Sequence, residues 1–388
     1  MEILFVSHKY PPAVGGMEKQ SYELITGMER YCKVHKLVFD GNESLVSFFI
    51  LLKKRIIEIC ARNPGIQLIH FNDGLLAAFC VRHEGYTHLK RTATLHGLDV
   101  VFPSAIYHKH ILPKFNSFDK LIAVSNATAK AAISLGIREE KLAVIPNGVD
   151  TQMPLYQTKI SINALLAEHG INYRGQRILV ALGRPVKRKG MSWFIKNVVP
   201  RLQGDFLLIL IGAYQPEPTR TEKLISYLPQ NFSRKITLFL GFPTDNAPLR
   251  EVLRDPECKE KVRHLGKLPT DHVQAILAAS AAFIMPNVEV AGDMEGFGLV
   301  CLEAAVAGAT VFAADIDGIP DAIQDGKNGY LLPSGNAAAW AERLNAVIRS
   351  RPAEQKANAF RDYTEANFSW DKMVRGYHDL FLTCMERR

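Results

Sequence analysis

The chain has no long apolar run. Its longest, "LVSFFILL" at 45–52, is far too short to cross a bilayer. The opening "MEILFVSHKY" has an acid at position 2 and no cleavage site, so it reads as a strand and not as an export leader. Cysteine is sparse: six in 388 residues, scattered, none with metal-ligand or redox spacing. That excludes a disulfide scaffold or a zinc module and fits reduced thiols in the cytoplasm. No G-x-G-x-x-G follows any strand candidate, which argues against a nicotinamide or flavin site. There is no low-complexity tract and no short-period repeat. Acids are outnumbered, 39 against 47 basic residues, for a net charge of +8. The excess favours nucleotides, phosphates or acidic lipids as partners. No nucleic-acid module and no aromatic–basic interleaving accompanies it, so no nucleic acid is expected.

What is present is alternation. In the first half the strand candidates are "ILFVS" (3–7), "VHKLVF" (34–39), "LIHF" (68–71), "TATLH" (92–96), "LIAVS" (121–125) and "LAVIP" (142–146). Helical patterns at 18–30, 44–62, 74–83 and 126–135 fall between them. After the punctuation of "PNGVDTQMP" (146–154) a second series follows: "RILVALG" (177–183), "FLLILIG" (206–212), "ITLFLG" (236–241), "AAFIMP" (281–286), "TVFAAD" (310–315) and "GYLLP" (329–333). The polar stretch 244–265 reads as a surface helix. Short buried strands alternating with helices predict an α/β fold of two Rossmann-like, doubly wound parallel sheets. Ligands of such sheets bind at the carboxyl ends of the strands, and a cleft between two such domains is the default site.

The loops after the strands carry the chemistry. In "EGFGLVCLEAAVAGA" (295–309), Glu295 and Glu303 stand in an otherwise apolar and small-residue run. A helix apolar all round is buried, and a buried carboxylate needs a partner. Eight positions rise about 12 Å if helical, so only an elongated ligand reaches both acids. The amides of Phe297, Gly298 and Leu299 open that helix as an anion site, and Gly296 and Gly298 permit close approach. The implied ligand has a phosphate near its middle and hydroxyl-rich ends, the shape of a nucleoside diphosphate sugar. In "GRPVKRKG" (183–190), Gly183 leads into Arg184 and Lys189, a forked donor and a point charge suited to a diphosphate. Lys187 and Arg188 read as solvated. Gly15 and Gly16 precede a helix and let amides crowd a phosphate. His96, at a strand end before Gly97, is the best placed of the histidines. Asp315 and Asp317 could pair on a divalent metal, but no third ligand is apparent, and a loop cap is the better reading.

The stretch 44–62, "SLVSFFILLKKRIIEICAR", supports two readings. On a helix Phe48, Leu51, Leu52, Arg55 and Ile59 fall near one side, with Lys53 and Lys54 elsewhere. It is either a helix packed on its sheet with a solvated basic flank, or a peripheral contact with an anionic membrane.

Taken in order, these motifs resemble the family 4 retaining glycosyltransferases of the GT-B fold over nearly the whole chain. "EGFGLVCLEAAVAGATVFAADIDGIPDAIQDGKNGYLLP" resembles the family's paired-glutamate region, "GRPVKRKG" its diphosphate clamp, "PPAVGG" its glycine loop, and "HG" at 96–97 its acceptor-side histidine. "MPNVEVAGDMEGFG" and "LEAAVAG" are similar to the phosphatidylinositol mannosyltransferase subgroup. The resemblance implies an N-terminal acceptor-side domain over 1–152 and a nucleotide-sugar domain over 153–369. The segment "FSWDKMVRGYHDLF" (368–381) lies where the family's terminal helix, here 370–388, crosses back. It implies Glu303 on the donor ribose and Glu295 on the donor-sugar hydroxyls, beside the anomeric carbon. Arg184 and Lys189 would neutralise the leaving diphosphate. Gly16 and the amides of Phe297–Leu299 would hold phosphate or sugar, and His96 would orient the sugar. It implies no metal and no cofactor beyond the donor, and a lipid, lipid-linked or glycan acceptor at the inner face of a membrane. An epimerase or phosphorylase of the same fold, or a non-catalytic membrane- or partner-binding protein that keeps the fold, are the alternatives.

Overall fold

A computed structural model describes residues 1–82, 85–151, 160–219, 244–350 and 354–386. The chain divides into two compact units. Unit 1 comprises Met1–Asp150, Met294–Leu299 and Asn367–Arg388; unit 2 comprises Thr151–Asp293 and Val300–Ala366.

Unit 1 is built on β1 (Glu2–Ser7), β2 (Lys33–Val38), β3 (Leu68–Phe71), β4 (Lys90–Leu95), β5 (Lys120–Ala123) and β6 (Leu142–Val144), in the order β2-β1-β3-β4-β5-β6. Every pairing is parallel. All four residues of β3 are buried, as a strand covered on both faces requires. The helices are α1 (Gly16–Met28), α2 (Leu45–Arg62), α3 (Gly74–Phe79), α4 (Leu98–Val101) and α5 (Asn126–Ser134). Three start on side-chain caps: Ser44 accepts from Ser47 N, Asp73 from Leu76 N and Ser125 from Thr128 N. The C-terminal helix Trp370–Glu386 buries Trp370, Met373, Val374, Tyr377, Phe381 and Cys384, one stripe at helical spacing. That stripe packs on Ile3, Phe5, Leu24, Ile25 and Met28. The buried Tyr377 hydroxyl is held by Thr94 Oγ1 at 2.9 Å, so the helix is keyed to β4 as well as to the apolar core.

Unit 2 has β7 (Arg177–Leu182), β8 (Phe206–Ile211), β9 (Val262–His264), β10 (Ala282–Met285), β11 (Val311–Asp315) and β12 (Tyr330–Pro333), in the order β12-β11-β10-β7-β8-β9. Its pairings are also parallel, and β8 is buried throughout.

Two expectations change. The stretch 244–265 is not one surface helix: helices Asn246–Arg254 and Pro256–Lys259 are followed by β9. This strand is short and, among the described residues, pairs on one side only; just Val262 is buried, and its polar neighbours hid it. The candidate "ITLFLG" (236–241) lies outside the described residues. In α2 the buried row is Phe48, Leu52, Ile56 and Cys60, an i, i+4 series, while Arg55 faces outward to pair with Glu43. No helix among the described residues is long and apolar enough to cross a membrane.

Candidate active site

In unit 1 the carboxyl ends of β1, β3 and β4 carry a polar cluster. His8 Nδ1 lies 2.8 Å from Asp73 Oδ2, both side chains almost fully shielded. Burial alone would raise the Asp73 carboxyl, but His8 and the Leu76 amide hold it below its ordinary value. Asp99 accepts from the amides of His96 (2.8 Å) and Gly74 (2.9 Å), and burial pushes its carboxyl upward. His96 Nε2 is 2.8 Å from the carbonyl of Asn72. A carbonyl only accepts, so Nε2 carries a proton, and in the neutral ring Nδ1 is the acceptor.

The segment Met294–Leu299 is packed into this cluster. A Cβ added to Gly296 would fall 1.9 Å from the His96 carbonyl oxygen. Gly97, at φ +103°, meets it from the other side: its Cβ would lie 3.0 Å from Gly296 Cα. Two glycines back to back therefore bring the Gly296 backbone against that of His96 and Gly97. Gly16, at the start of α1, is next to Leu299, whose Cδ1 would be 3.3 Å from an added Cβ. Gly15 is the residue that caps α1, with no side-chain bond. Phe297 is buried against Phe368, and Gly298 has φ +89° just before the helix Leu299–Val306. So Gly15, Gly16, His96, Glu295, Gly296, Phe297, Gly298 and Leu299 all belong to unit 1.

Unit 2 holds Gly183, Arg184, Lys189 and Glu303. Gly183 follows β7 at φ +146°. Its carbonyl is approached so closely by Gly212 that a Cβ there would sit 2.1 Å away. The loop after it is braced on two sides. Asp245, buried, donates its amide to the Pro185 carbonyl (2.6 Å). Its carboxylate takes the Ser192 amide (2.8 Å) and hydroxyl. On the other side Arg188 Nη1 reaches both carboxylate oxygens of Asp293 at 3.1 and 3.2 Å, and the Arg188 carbonyl accepts from Val288 N at 2.9 Å. Gly190 (φ +63°) presses on the Pro286 carbonyl. Lys189 runs its stem along Gly183, and Arg184 is exposed.

Three residues differ from the sequence reading or were missed by it. Arg188 is not a solvated cation: its side chain is 13% exposed and that of Asp293 is 0% exposed. Asp245, in a stretch read as surface helix, is a buried brace. Glu303 is half-buried, not enclosed, because the helix Leu299–Val306 keeps Val300, Glu303 and the following Ala307 on a less buried side while Cys301, Leu302, Ala304 and Ala305 enter the core. Small apolar residues on the open side hid that asymmetry. Asp315 is exposed at the end of β11 and Asp317 adopts φ +55°. Among the described residues no group of three or more His, Cys, Asp or Glu side chains is placed to hold a metal ion.

Residues 167–366 match the family model described as Glycosyl transferases group 1, and residues 14–153 that of Glycosyltransferase Family 4. Similar over almost its full length is the alpha-maltose-1-phosphate synthase of Mycolicibacterium smegmatis, 23% identical over 95% of this chain and 96% of that one. The putative colanic acid biosynthesis glycosyltransferase WcaL of Escherichia coli is 22% identical over 73% of this chain and 61% of its own. Among solved structures, HepE of Anabaena in complex with UDP-glucose superposes with a TM-score of 0.71 at 19% identity, over 99% of this chain and 100% of that one. That likeness shows the fold, GT-B.

Proposed function

The chain belongs to the group 1 glycosyltransferase family, and we propose from that premise that it moves a sugar, with retention, from a nucleoside diphosphate donor to an acceptor hydroxyl without a metal. Arg184 and Lys189 bind the diphosphate and stabilise the negative charge that grows on it as the glycosidic bond breaks. Glu303 takes the ribose hydroxyls. Glu295 takes donor-sugar hydroxyls and lies by the anomeric carbon as that carbon gains positive character. The amides of Phe297–Leu299, with Gly15 and Gly16, receive phosphate or sugar oxygens. His96 accepts a sugar hydroxyl at Nδ1, since Nε2 is committed to Asn72. The acceptor oxygen attacks on the face that the diphosphate leaves, and a phosphate oxygen takes its proton. Basic side chains and amides thus do the work a divalent cation does elsewhere.

The observation that carries this reading is the loop 183–190. Its shape is held by Asp245 and by the Arg188–Asp293 pair, so Arg184 is not consumed in bracing and stands exposed at the carboxyl end of β7. The acceptor is a lipid, lipid-linked glycan or glycan, reached by peripheral contact with a membrane. In support, α2 leaves Val46 and Ile50 exposed beside its basic residues. A panel of UDP-, GDP- and ADP-sugars tests the reading. One donor class should raise the melting temperature and release its nucleoside diphosphate; no shift and no release with any of them would overturn it.

A further inference from the structure

The membrane contact just proposed has a more definite chemistry than exposed apolar residues alone supply. A cavity of about 180 Å³ in unit 1 is lined by Lys53 of α2, Phe79 of α3, Val81, Arg82, Ile111 and Lys114. Three cations therefore converge on one small space. Elsewhere on α2 the cations have acidic neighbours: Lys54 and Arg62 share Glu58, and Arg55 pairs with Glu43. Lys53, Arg82 and Lys114 have no salt-bridge partner among the described residues. Cations held together without a counter-charge repel one another, and an anion relieves that repulsion.

Beside the cavity the surface is apolar. Phe79 is 50% exposed and lies 4.7 Å, ring to ring, from Phe49, one helical turn from Lys53. On the same stretch of α2, Val46 is 70% and Ile50 74% exposed, an i, i+4 pair pointing away from the buried row. A soluble anion would need the cations but not this apolar margin. An anionic phospholipid needs both.

We infer that Lys53, Arg82 and Lys114 form a binding pocket for the phosphate of an anionic phospholipid headgroup, with Val46, Ile50 and Phe79 as the adjoining surface that enters the lipid. The inference rests on the reading that the acceptor is met at a membrane, and it names the contact. Lys54, tied to Glu58, is outside the pocket.

Co-sedimentation with vesicles of phosphatidylcholine, alone or mixed with phosphatidylglycerol, tests it at low and high salt. The wild-type protein should bind only the mixed vesicles, more weakly at high salt. Each charge removed near an anionic surface lowers affinity roughly fivefold. Lys53→Glu and Lys114→Glu should therefore each weaken binding by tenfold or more, and Lys196→Glu, the same charge change on unit 2, should not. Ile50→Ser/Phe79→Ser should weaken binding at both salt concentrations. A wild type that ignores mixed vesicles at low salt, or pocket variants that bind as the wild type does, overturns the inference. So does full binding by Ile50→Ser/Phe79→Ser, which would leave a diffuse electrostatic contact. Nucleoside diphosphate release in vesicle-free buffer should be unchanged in all these variants. If the wild type releases none from any donor, the proposed function fails while the vesicle result is judged separately.

Discussion

Arg188 and Asp293 form a two-pronged ion pair at 3.1 and 3.2 Å that ties the loop after β7 to the segment after β10. The Asp293 carboxylate is fully shielded. Removing one partner of such a pair strands a buried charge and costs about 3–5 kcal/mol, whereas replacing both by apolar groups is often neutral. Asp293→Ala should lower unfolding stability by about that amount in a denaturant titration. Arg188→Met/Asp293→Leu should regain much of it yet remain slow in donor turnover, because the loop that presents Arg184 has lost its tether. Full turnover in the double variant would show that the pair does not position the loop.

The contact between Gly296 and the His96 carbonyl leaves no room for a methyl group. Gly296→Ala must push the backbone next to Glu295 away from the His96 carbonyl. Displacing a reacting group by about 1 Å costs on the order of 10² in rate. Sugar transfer should fall by that factor while free nucleoside diphosphate still binds, as measured by calorimetry. Unchanged transfer would mean that this packing does not set the position of Glu295.

How much was legible in the sequence can be judged from particular elements. The eleven described strands expected from apolar runs are present, because buried parallel strands need continuous β-branched and aliphatic residues. β9 was not legible, since "VRH", at the edge of the sheet among the described residues, has no such need. Of the three adjacent basic residues 187–189, nothing in the sequence could tell that Arg188 turns inward: its partner Asp293 is over a hundred positions away. The contact of His96 with Gly296 was equally silent, although the glycines themselves were the signal that something approached closely. The place of Arg184 just past the end of β7 was legible because a strand end followed by glycine and arginine is a local pattern.

On the proposed reading the two acids serve opposite ends of the donor. Glu303→Gln should weaken binding of the free nucleoside diphosphate, whereas Glu295→Gln should spare it and slow transfer. Calorimetry with the free nucleotide and with the intact donor separates them; equal loss of nucleotide affinity in both would contradict the assignment. Adding a chelator should leave turnover unchanged, and strict dependence on a divalent ion would return attention to Asp315 and Asp317.

His70 is wholly buried between Thr92 Oγ1 (2.8 Å) and Thr94 Oγ1 (3.1 Å), and burial pushes its imidazole from 6.5 down to about 3. The folded state keeps it neutral while the unfolded chain takes up a proton below 6.5. Its contribution is therefore intact above pH 6.5 and is lost as pH falls towards 3. His70→Gln should reduce by nearly one the protons taken up on unfolding at pH 5, read from the slope of stability against pH. An unchanged slope would place the proton uptake elsewhere.

The central claim is that the exposed Arg184, with Lys189, neutralises a leaving diphosphate. The direct measurement is the rate of nucleoside diphosphate release from the preferred donor by the wild type, Arg184→Ala and Lys189→Ala, with melting temperatures recorded on the same samples. Removing one donor to a developing charge costs on the order of 3 kcal/mol in activation free energy, so each variant should slow by roughly 10²-fold or more while melting within a few degrees of the wild type. Near-normal rates in both variants would contradict the account and leave 183–190 as a braced but solvated basic turn.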